Sequence, residues 1–347
     1  MTTTTGLSQV PLSIEPLNRK EFVSSQEVRW CPGCGDYAVL SAFQGLMPDL
    51  GVKRENTVIV SGIGCSSRFP YYLDTYGIHS IHGRAPSIAT GIAMARPDLA
   101  VWVVTGDGDA LSIGGNHLIH ALRRNVNITI MLFNNRIYGL TKGQYSPTSE
   151  SGKVTKSTPA GSLDYPFNPV ALALGAEATF VARTIDSDRK HLTEVLRRAV
   201  SHRGASLVEI YQNCPIFNDG AYDGLKEAGS PRVIPLTDGE PIVFGANREL
   251  GIVRDSKSGS LEVATVATVD EAEILRHDSH NPDAAQAFAL ARMTDSQQLS
   301  LSPIGVFRDV ERPVYDDAAR SQVTMPDRAN RIVKMQHLIE GSDTWTV

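Results

Sequence analysis

The chain has 347 residues, which allows one large or two modest domains. Its 33 Lys and Arg against 38 Asp and Glu give a formal net charge of −5, so it lacks the basic excess typical of nucleic-acid-binding proteins. Hydrophobic residues make up 41% and charged residues 20%, which argues against global disorder. No apolar run approaches the ~20 residues of a membrane helix, and residues 1–6 lack a signal-peptide pattern, so a cytoplasmic protein without membrane association is expected.

Strand and helix patterns alternate after an extended lead-in at residues 1–28. The predicted elements run in chain order as a helix at 36–47, a strand at 57–61, a helix at 86–95, a strand at 99–105, a helix at 116–124, a strand at 127–133, a short helix at 169–174, a strand at 178–181, a helix at 188–202 and a strand at 206–211. Continuous apolar strands such as these predict a parallel sheet covered by helices on both faces. The predicted fold class is therefore α/β, with a doubly wound, mainly parallel sheet.

Two stretches depart from this alternation. Residues 145–167 are polar and predict a long loop, a kind of segment that is often functional or mobile. Beyond about residue 220, short strands are predicted at 241–244 and 261–267 and a helix near 283–291, whereas 311–347 shows weak periodicity. We expect a ligand-binding domain at 29–220 and a C-terminal extension at 221–347.

Polar residues follow the apolar strands, at the sheet edge where ligands bind in this class of fold. Gly106, Asp107 and Gly108 end one strand, and Asn134 and Asn135 end the next. Neighbouring parallel strands lie ~4.8 Å apart, so the two ends can face one site. Carboxylate and amide oxygens suit Mg²⁺ or Ca²⁺, and the glycines allow a diphosphate to approach the backbone. Alone, Gly-Asp-Gly is more typical of a tight turn; the second strand end favours a ligand site.

The chain contains four cysteines, too few for a disulfide scaffold but enough to close a tetrahedral thiolate site. Cys31 and Cys34 have the two-residue gap common to Fe–S, zinc and dithiol redox sites. A thioredoxin-like motif should follow a core strand, and residues 24–30 do not form a convincing one. Cys65 and Cys214 each follow a predicted strand, so both are expected at the ligand-binding edge. The alternative is two buried cysteines and an incidental pair.

The Gly-Asp-Gly and Asn-Asn pair resembles the thiamine-diphosphate motif, in which the Asp, the second Asn and a main-chain carbonyl two residues later hold the metal. This implies Asp107, Asn135 and the carbonyl of Ile137 as Mg²⁺ ligands. Most of the chain also resembles the β subunit of 2-oxoacid:ferredoxin oxidoreductases. The matching motifs are CPGCG (31–35), SGIGCSSR (61–68), IHGRAP (81–86), TGDGDALSIGGNH (105–117), FNNRIYGLTKGQ (133–144), QNCPIFN (212–218), FGANRELGIV (244–253) and SPIGVFR (302–308).

This resemblance implies a thiamine-diphosphate-binding fold that holds thiamine diphosphate, Mg²⁺ and one 4Fe–4S cluster. In the family, cysteines at these four positions bind the cluster, which carries over to Cys31, Cys34, Cys65 and Cys214. The residues expected to bind the cofactor are Gly64, Cys65, Ser66, His82, Gly106, Asp107, Gly108, Asp109, Asn135, Ile137, Gly139 and Leu140.

The implied reaction converts a 2-oxoacid, coenzyme A and oxidised ferredoxin into an acyl-CoA, CO₂ and reduced ferredoxin. A chain of this family supplies only the diphosphate-binding domain. A larger α subunit, or a fused γα subunit, is therefore expected to supply the glutamate that activates the cofactor and much of the CoA site. We expect an (αβ)₂ heterotetramer whose β chain is inactive alone.

Three side chains are predicted to serve catalysis. Arg68 and Lys142 are cations near the expected thiazolium, and either suits a distal carboxylate; the alternative is that they are solvated loop charges. Residues 139–144 resemble members that use 2-oxoglutarate, which is therefore preferred over pyruvate. His82 is expected to contact the diphosphate or the reacting carboxylate, although such a histidine is often structural.

Other interpretations remain open at this point. A pyruvate- or indolepyruvate-type β subunit would differ in its substrate. A non-redox thiamine-diphosphate decarboxylase or carboligase would leave the cysteines structural, and a Cys₄ zinc module would be a binding protein without redox chemistry. His277 and His280 are expected at the surface rather than on a metal, because no third ligand lies nearby in the sequence.

Overall fold

The computed structural model describes residues 5–323, 328–342 and 345. The strands are β1 Thr57–Ser61, β2 Tyr76–His79, β3 Ala100–Gly106, β4 Ile128–Asn134, β5 Phe180–Ile185, β6 Ala205–Tyr211, β7 Val233–Leu236, β8 Val243–Phe244, β9 Leu250–Arg254, β10 Leu261–Thr265 and β11 Ser302–Asp309. The helices are α1 Asp36–Leu50, α2 Ala85–Ala95, α3 Asp107–Leu111, α4 Gly115–Arg123, α5 Pro169–Gly175, α6 Arg189–Ser201, α7 Asp223–Lys226, α8 Ala285–Arg292, α9 Tyr315–Gln322 and α10 Arg328–Glu340.

An eight-stranded sheet in the order β2-β1-β3-β4-β6-β5-β11-β7 forms the centre of the molecule. Its neighbouring strands pair in parallel, except that β11 runs antiparallel to β5. A smaller antiparallel sheet has the order β10-β9-β8. The predicted α/β class with a mainly parallel sheet is confirmed.

Alternate residues of each central strand face opposite sides of the sheet, and helices cover both sides. On β3, Val101 and Val103 belong to one core, which also holds residues of α2, α4, α5 and α8. Trp102 and Val104 belong to the other core, which holds residues of α1 and α6. Burial on both faces is the reason that these strands have continuous apolar sequences.

Local signals set the ends of the main helices. The Asp188 side chain accepts a hydrogen bond from the main-chain N–H of His191, 3.0 Å away, and so caps α6. The buried residues of α6 recur at helical spacing on one face, as an amphipathic helix requires. At its C-terminal end, α1 stops at Gly51, which has a φ of 68° that favours glycine.

The chain beyond residue 220 contributes two strands to the central sheet. β11 pairs with both β5 and β7, so the strand that extends this sheet comes from near the end of the chain. The strands predicted at 241–244 and 261–267 and the helix near 283–291 are present as β8, β10 and α8. No sequence pattern predicts β2, β7, β9 or β11, because Gly77, Pro235, Gly251, Pro303 and Gly305 interrupt them.

The prediction that His277 lies at the surface is wrong. Its side chain is 1% exposed, and its Nε2 lies 2.7 Å from the main-chain oxygen of Val306 in β11. Burial lowers the pKa of His277, so the ring is neutral and part of the core. His280 is exposed, as expected.

The lead-in packs against the domain. The N–H of Gly6 donates to the carbonyl of Ser201 at the end of α6, 2.8 Å away, and a 3-10 helix at Arg19–Phe22 buries Phe22. Among the helices that the structure describes, none is both long enough and apolar enough to span a bilayer.

Candidate functional site

A cavity of about 120 Å³ opens at the carboxyl ends of β1, β3 and β4. Its walls are the turn after β1, the start of α3 and the segment after β4. This is the place where ligands bind in parallel sheets of this class. The lining includes every residue that sequence analysis expects at the cofactor, and their part in binding stays a prediction. The full lining is Ile63, Gly64, Cys65, Ser66, His82, Gly106, Asp107, Gly108, Asp109, Phe133, Asn135, Ile137, Tyr138, Gly139, Leu140 and Thr141.

Asp107 is one of two buried carboxylates that line this cavity, with 2% of its surface exposed. Its Oδ2 accepts hydrogen bonds from the hydroxyls of Ser146 and of Thr148, the latter at 2.6 Å. Burial raises the pKa of Asp107 to about 6, although these two hydroxyls act to lower it. Sequence analysis missed Ser146 and Thr148, because the loop at 145–167 contains so many hydroxyl residues that none stands out.

A buried ion pair supports Asp107 from behind. The Thr148 hydroxyl oxygen lies 2.8 Å from the amide oxygen of Asn134, and the Asn134 amide N–H donates to Glu209 Oε1 at 2.7 Å. Glu209 Oε2 in turn accepts from Arg183 Nε at 2.7 Å, and both side chains are inaccessible to solvent. This network fixes the first asparagine of the Asn-Asn pair inside the protein, which leaves the second one for the cavity.

Asn135 and Ile137 form the part of the cavity wall that follows β4. The Asn135 side-chain oxygen accepts from the main-chain N–H of Ile137 at 3.1 Å, and its main-chain oxygen accepts from the Asn218 amide at 2.9 Å. These bonds hold residues 135–137 as a tight turn against the cavity. Asp107 and Asn135 thus offer oxygen donors from two neighbouring strand ends, the type of ligand that Mg²⁺ prefers.

Gly108 is required for a reason that the sequence does not reveal. A Cβ at this position would lie 2.2 Å from the Tyr138 ring, and the Tyr138 hydroxyl donates to the Gly108 carbonyl at 3.0 Å. A side chain at this position would therefore clash with the Tyr138 ring. The close approach of a diphosphate to the backbone beside Asp107 stays a prediction.

Asp109 ties two cavity loops together. Its carboxylate accepts from the main-chain N–H groups of Ile63 (3.1 Å) and Gly83 (2.7 Å) and from the Thr105 hydroxyl (2.6 Å). The same carboxylate contacts His82 Nδ1. Asp109 is 2% exposed, so its contacts are mainly with the protein, and it orients His82, which is partly exposed in the cavity wall.

Arg68 and Lys142 are not among the residues that line the cavity. Arg68 Nε donates to the Tyr72 hydroxyl at 2.9 Å, beside the segment that carries Cys65. Lys142 is exposed and has a φ of 79° in the turn at 138–144, whose first half lines the cavity. Their roles toward a substrate stay predictions.

The cysteines lie on three segments that the fold brings together. The main-chain N–H of Gly35 donates to the carbonyl of Asn213 at 3.1 Å, which joins the loop at 31–34 to the segment of Cys214. Asp186, at the end of β5, accepts from the Asn213 N–H at 2.8 Å and braces the same junction.

Cys65 approaches this junction from the cavity side. The Trp30 indole N–H donates to the Cys65 carbonyl at 2.7 Å. A Cβ added to Gly139 would lie 3.4 Å from the Cys65 sulfur and 3.7 Å from the Cys214 sulfur, so both sulfurs face the same glycine. Cys65 and Gly139 also line the cavity, which places the two sites side by side.

The thiols raise one another's pKa values across this space. Burial raises the pKa of Cys34 well above its ordinary value, and the charges of Asp36, Cys214 and Cys65 raise it further. Burial likewise raises the pKa of Cys65 to about 12. Without added positive charge these thiols stay protonated, and a bound metal group would supply the charge that makes them thiolates.

The donor set suits a polynuclear cluster in its chemistry. The chain offers four free thiols on three segments, with Cys31 exposed and Cys214 buried, and the sulfurs of Cys65 and Cys214 face the same glycine. Within the described parts of the chain, no three or more His, Cys, Asp or Glu side chains surround a position for a single metal ion. A 4Fe–4S cluster makes a different demand, because it is held by four thiolates around a larger inorganic core.

The sequence is similar to known proteins along nearly its whole length. Residues 62–210 match the model of the thiamine pyrophosphate enzyme C-terminal TPP-binding domain. The chain is 66% identical over 342 residues to the 2-oxoglutarate oxidoreductase subunit KorB of Mycobacterium tuberculosis, covering 97% of this chain and 91% of that relative. It is 44% identical over 216 residues to a 2-oxoacid:ferredoxin oxidoreductase subunit beta of Sulfolobus sp, covering 62% and 71%.

A solved structure shows the same likeness. It is the 2-oxoglutarate:ferredoxin oxidoreductase from Magnetococcus marinus with 2-oxoglutarate, coenzyme A and succinyl-CoA bound. The match has a TM-score of 0.72 at 33% identity and covers 94% of this chain and 99% of that chain. The likeness therefore extends beyond the central strands to nearly the whole chain.

Proposed function

Because the chain belongs to the family of β subunits of 2-oxoacid:ferredoxin oxidoreductases, we propose that it is the β subunit of an enzyme that oxidatively decarboxylates 2-oxoglutarate. Members of this family are oxidoreductases that act with a partner subunit. One observation carries the proposal: a cavity with a buried Asp107 adjoins a four-cysteine site and shares Cys65 and Gly139 with it.

The cavity is proposed to hold thiamine diphosphate and Mg²⁺. Asp107, Asn135 and the Ile137 carbonyl would bind the metal, and the turn at 62–66 and the start of α3 would enclose the diphosphate. When bound, thiamine diphosphate would supply carbanion chemistry toward the keto carbon of the substrate. The hydroxyls of Ser146 and Thr148 would favour the ionised form of Asp107 against its burial, and Asp109 would orient His82.

The four-cysteine site is proposed to hold one 4Fe–4S cluster through Cys31, Cys34, Cys65 and Cys214. Its position beside the cavity supports direct electron uptake from the reaction site. The overall balance is 2-oxoglutarate, coenzyme A and two oxidised ferredoxins giving succinyl-CoA, CO₂, two reduced ferredoxins and one proton. Coenzyme A enters the proposal from the ligands of the Magnetococcus marinus enzyme.

An α subunit, or a fused γα subunit, is proposed to cover the cavity mouth, contribute the activating glutamate and complete an (αβ)₂ assembly in the cytoplasm. Exposed apolar side chains on the segments that carry the cavity support a protein partner: Leu140 of the lining is 49% exposed, Ile81 next to His82 in sequence 71%, and Ile113 beside Gly83 53%. Exposed apolar side chains grouped around a ligand cavity are typical of an interaction surface.

The substrate preference is proposed to depend on Arg68 and Lys142, as cations for the distal carboxylate of 2-oxoglutarate. Changing Arg68 to Ala should raise KM for 2-oxoglutarate more than KM for pyruvate. Equal effects on both substrates would contradict the role. A preference for pyruvate or indolepyruvate in the unaltered enzyme would instead replace the proposed substrate.

The decisive experiment co-expresses this chain with its α subunit and purifies the complex without oxygen. We expect a brown protein with absorption near 400 nm, iron and sulfide, and ferredoxin reduction that requires 2-oxoglutarate and coenzyme A. Zinc in place of iron would support the Cys₄ zinc module. Decarboxylation without ferredoxin reduction would support the non-redox enzyme, and turnover by the isolated β chain would contradict the need for a partner.

A further inference from the structure

Gln212 lies between the end of β6 and Cys214, and its side chain is buried, with 1% of its surface exposed. Its main-chain N–H donates to the Asn134 carbonyl at 3.0 Å, which extends the pairing of β6 with β4. The side-chain Nε2 lies 3.2 Å from the Cys34 sulfur. This bond ties the backbone of Gln212 to the end of the sheet, from which the side-chain amide reaches the sulfur.

The orientation of the Gln212 amide follows from its other neighbour. Nε2 also donates to the main-chain oxygen of Asn213. The reversed amide would place two oxygens together, which is repulsive, so Nε2 and not Oε1 faces the sulfur. The two N–H groups of the amide can then serve the Asn213 carbonyl and Cys34, while Oε1 has no partner among the described residues.

We propose that Gln212 sets the reduction potential of the cluster by donating an N–H···S hydrogen bond to the Cys34 sulfur. This inference rests on the proposed function, which places a 4Fe–4S cluster on Cys34. Reduction adds negative charge to the cluster and its sulfur ligands, and a hydrogen bond to a charged acceptor is stronger than one to a neutral acceptor. The donor therefore favours the reduced state and raises the potential.

The contact is specific to one cysteine. Within residues 5–323, Gln212 provides the one side-chain N–H that donates to a cysteine sulfur. Gln212 would thus act on the cluster through the Cys34 sulfur, and it is not proposed to contact the substrate.

The test replaces Gln212 with Met, which has similar length but no N–H, in the purified complex with the α subunit. Iron and sulfide content are measured first, and the cluster potential is then measured by an EPR-monitored redox titration. We expect full iron content and an equilibrium constant for cluster reduction up to tenfold lower, which is about 59 mV for a one-electron couple.

Gln44 provides the matched control. It is a buried glutamine of α1, 5% exposed, whose Nε2 donates to the Tyr72 carbonyl at 3.2 Å and not to a sulfur. Changing Gln44 to Met should leave the potential unaltered. An unchanged potential in the Gln212→Met complex, or the same shift in Gln44→Met, would overturn the inference.

A second measurement uses the wild-type complex, so it does not require that the Gln212→Met variant retains its cluster. With ¹⁵N in the glutamine side-chain amides, pulsed EPR of the reduced wild-type cluster should show coupling to one amide nitrogen. Absence of that coupling overturns the role of Gln212. Absence of iron and sulfide from the wild-type complex would instead overturn the proposed function, so the two failures are distinguishable.

Discussion

The two candidate sites lie side by side at the carboxyl ends of the parallel strands, but they are built in different ways. The Asp107 cavity rests on neighbouring strand ends, and a buried chain of contacts from Thr148 through Asn134 to the Glu209–Arg183 pair supports it. The cysteine site is joined by single hydrogen bonds between three separate segments. The sheet therefore fixes the first site and loop contacts fix the second, so the two should respond differently to mutation.

The largest expected effect separates the two sites. Changing Asp107 to Asn removes the charged metal ligand and should weaken Mg²⁺-dependent binding of thiamine diphosphate by more than about 100-fold, since supporting residues alone account for 10–100-fold. Changing Cys34 to Ser should instead lower the iron content. Calorimetry for the cofactor and iron analysis for the cluster measure both properties in each variant.

Each of these variants serves as the control for the other. Asp107→Asn is expected to keep its iron, and Cys34→Ser is expected to keep its cofactor affinity. Loss of both properties in either variant would show that the two sites form one cooperative unit, which would remove the distinction between them.

A second large effect concerns the support of the Asp107 cavity. Changing Glu209 to Gln keeps the shape but leaves Arg183 buried without a counter-charge, and breaking a buried pair in this way destabilises by about 3–5 kcal/mol. Urea unfolding of the β chain measures the loss. Replacing both partners, Arg183 by Met and Glu209 by Leu, should recover part of it.

The exposed Arg197–Asp49 pair offers the matched control, because its nitrogen and oxygen lie 2.8 Å apart near solvent. Asp49→Asn should cost at most about 1 kcal/mol. If Glu209→Gln lowered the free energy of unfolding no more than Asp49→Asn, the buried pair would not stabilise the structure that supports the cavity.

A smaller effect is expected from one hydroxyl in that support. Changing Thr148 to Val keeps the shape of the side chain but removes the hydrogen bond to Asp107, and metal affinity should fall about 10–100-fold. Thr158→Val, in the same loop, removes a hydroxyl that makes no hydrogen bond to Asp107, unlike that of Thr148, and should leave the affinity unaltered. Titration with Mn²⁺ followed by EPR compares the two, and equal affinities would refute the role of Thr148.

The smallest predicted effect is a pH dependence. Metal binding requires ionised Asp107, whose pKa of about 6 in the metal-free protein makes protons compete below that pH. Affinity for Mg²⁺ and thiamine diphosphate should therefore be steady above about pH 6 and fall by up to tenfold per unit below it. The Asp107→Asn protein should show a shallower slope, and parallel slopes would assign the pH dependence to the diphosphate alone.

Sequence analysis predicts the cavity walls well, because parallel strands buried on both faces give continuous apolar runs and end in polar turns. It does not predict the groups that support the walls. Glu209 lies inside a mainly apolar strand, and Thr148 is one hydroxyl among many in its loop, so no local pattern marks either residue. Both matter only through partners distant in sequence, which the fold alone brings together.

The same limit applies to β11. Pro303, Gly305 and Arg308 interrupt its apolar pattern, yet its residues are buried apart from the partly exposed Asp309. The position of β11 between β5 and β7 stabilises those residues as a strand, since tertiary pairing can override local preference. His277 is buried by this same strand, which explains why a polar HDSH sequence misleads.

The late position of β11 has a consequence for biosynthesis. On the ribosome, β5 already has β6 as a neighbour after residue 211, but its other edge stays open until Ser302–Asp309 has been made. β7 has β11 as its partner in this sheet, so it too cannot pair there until Ser302–Asp309 has been made. Open apolar strand edges are templates for wrong pairing. A nascent or truncated chain that stops before residue 302 therefore leaves the second edge of β5 open to wrong pairing.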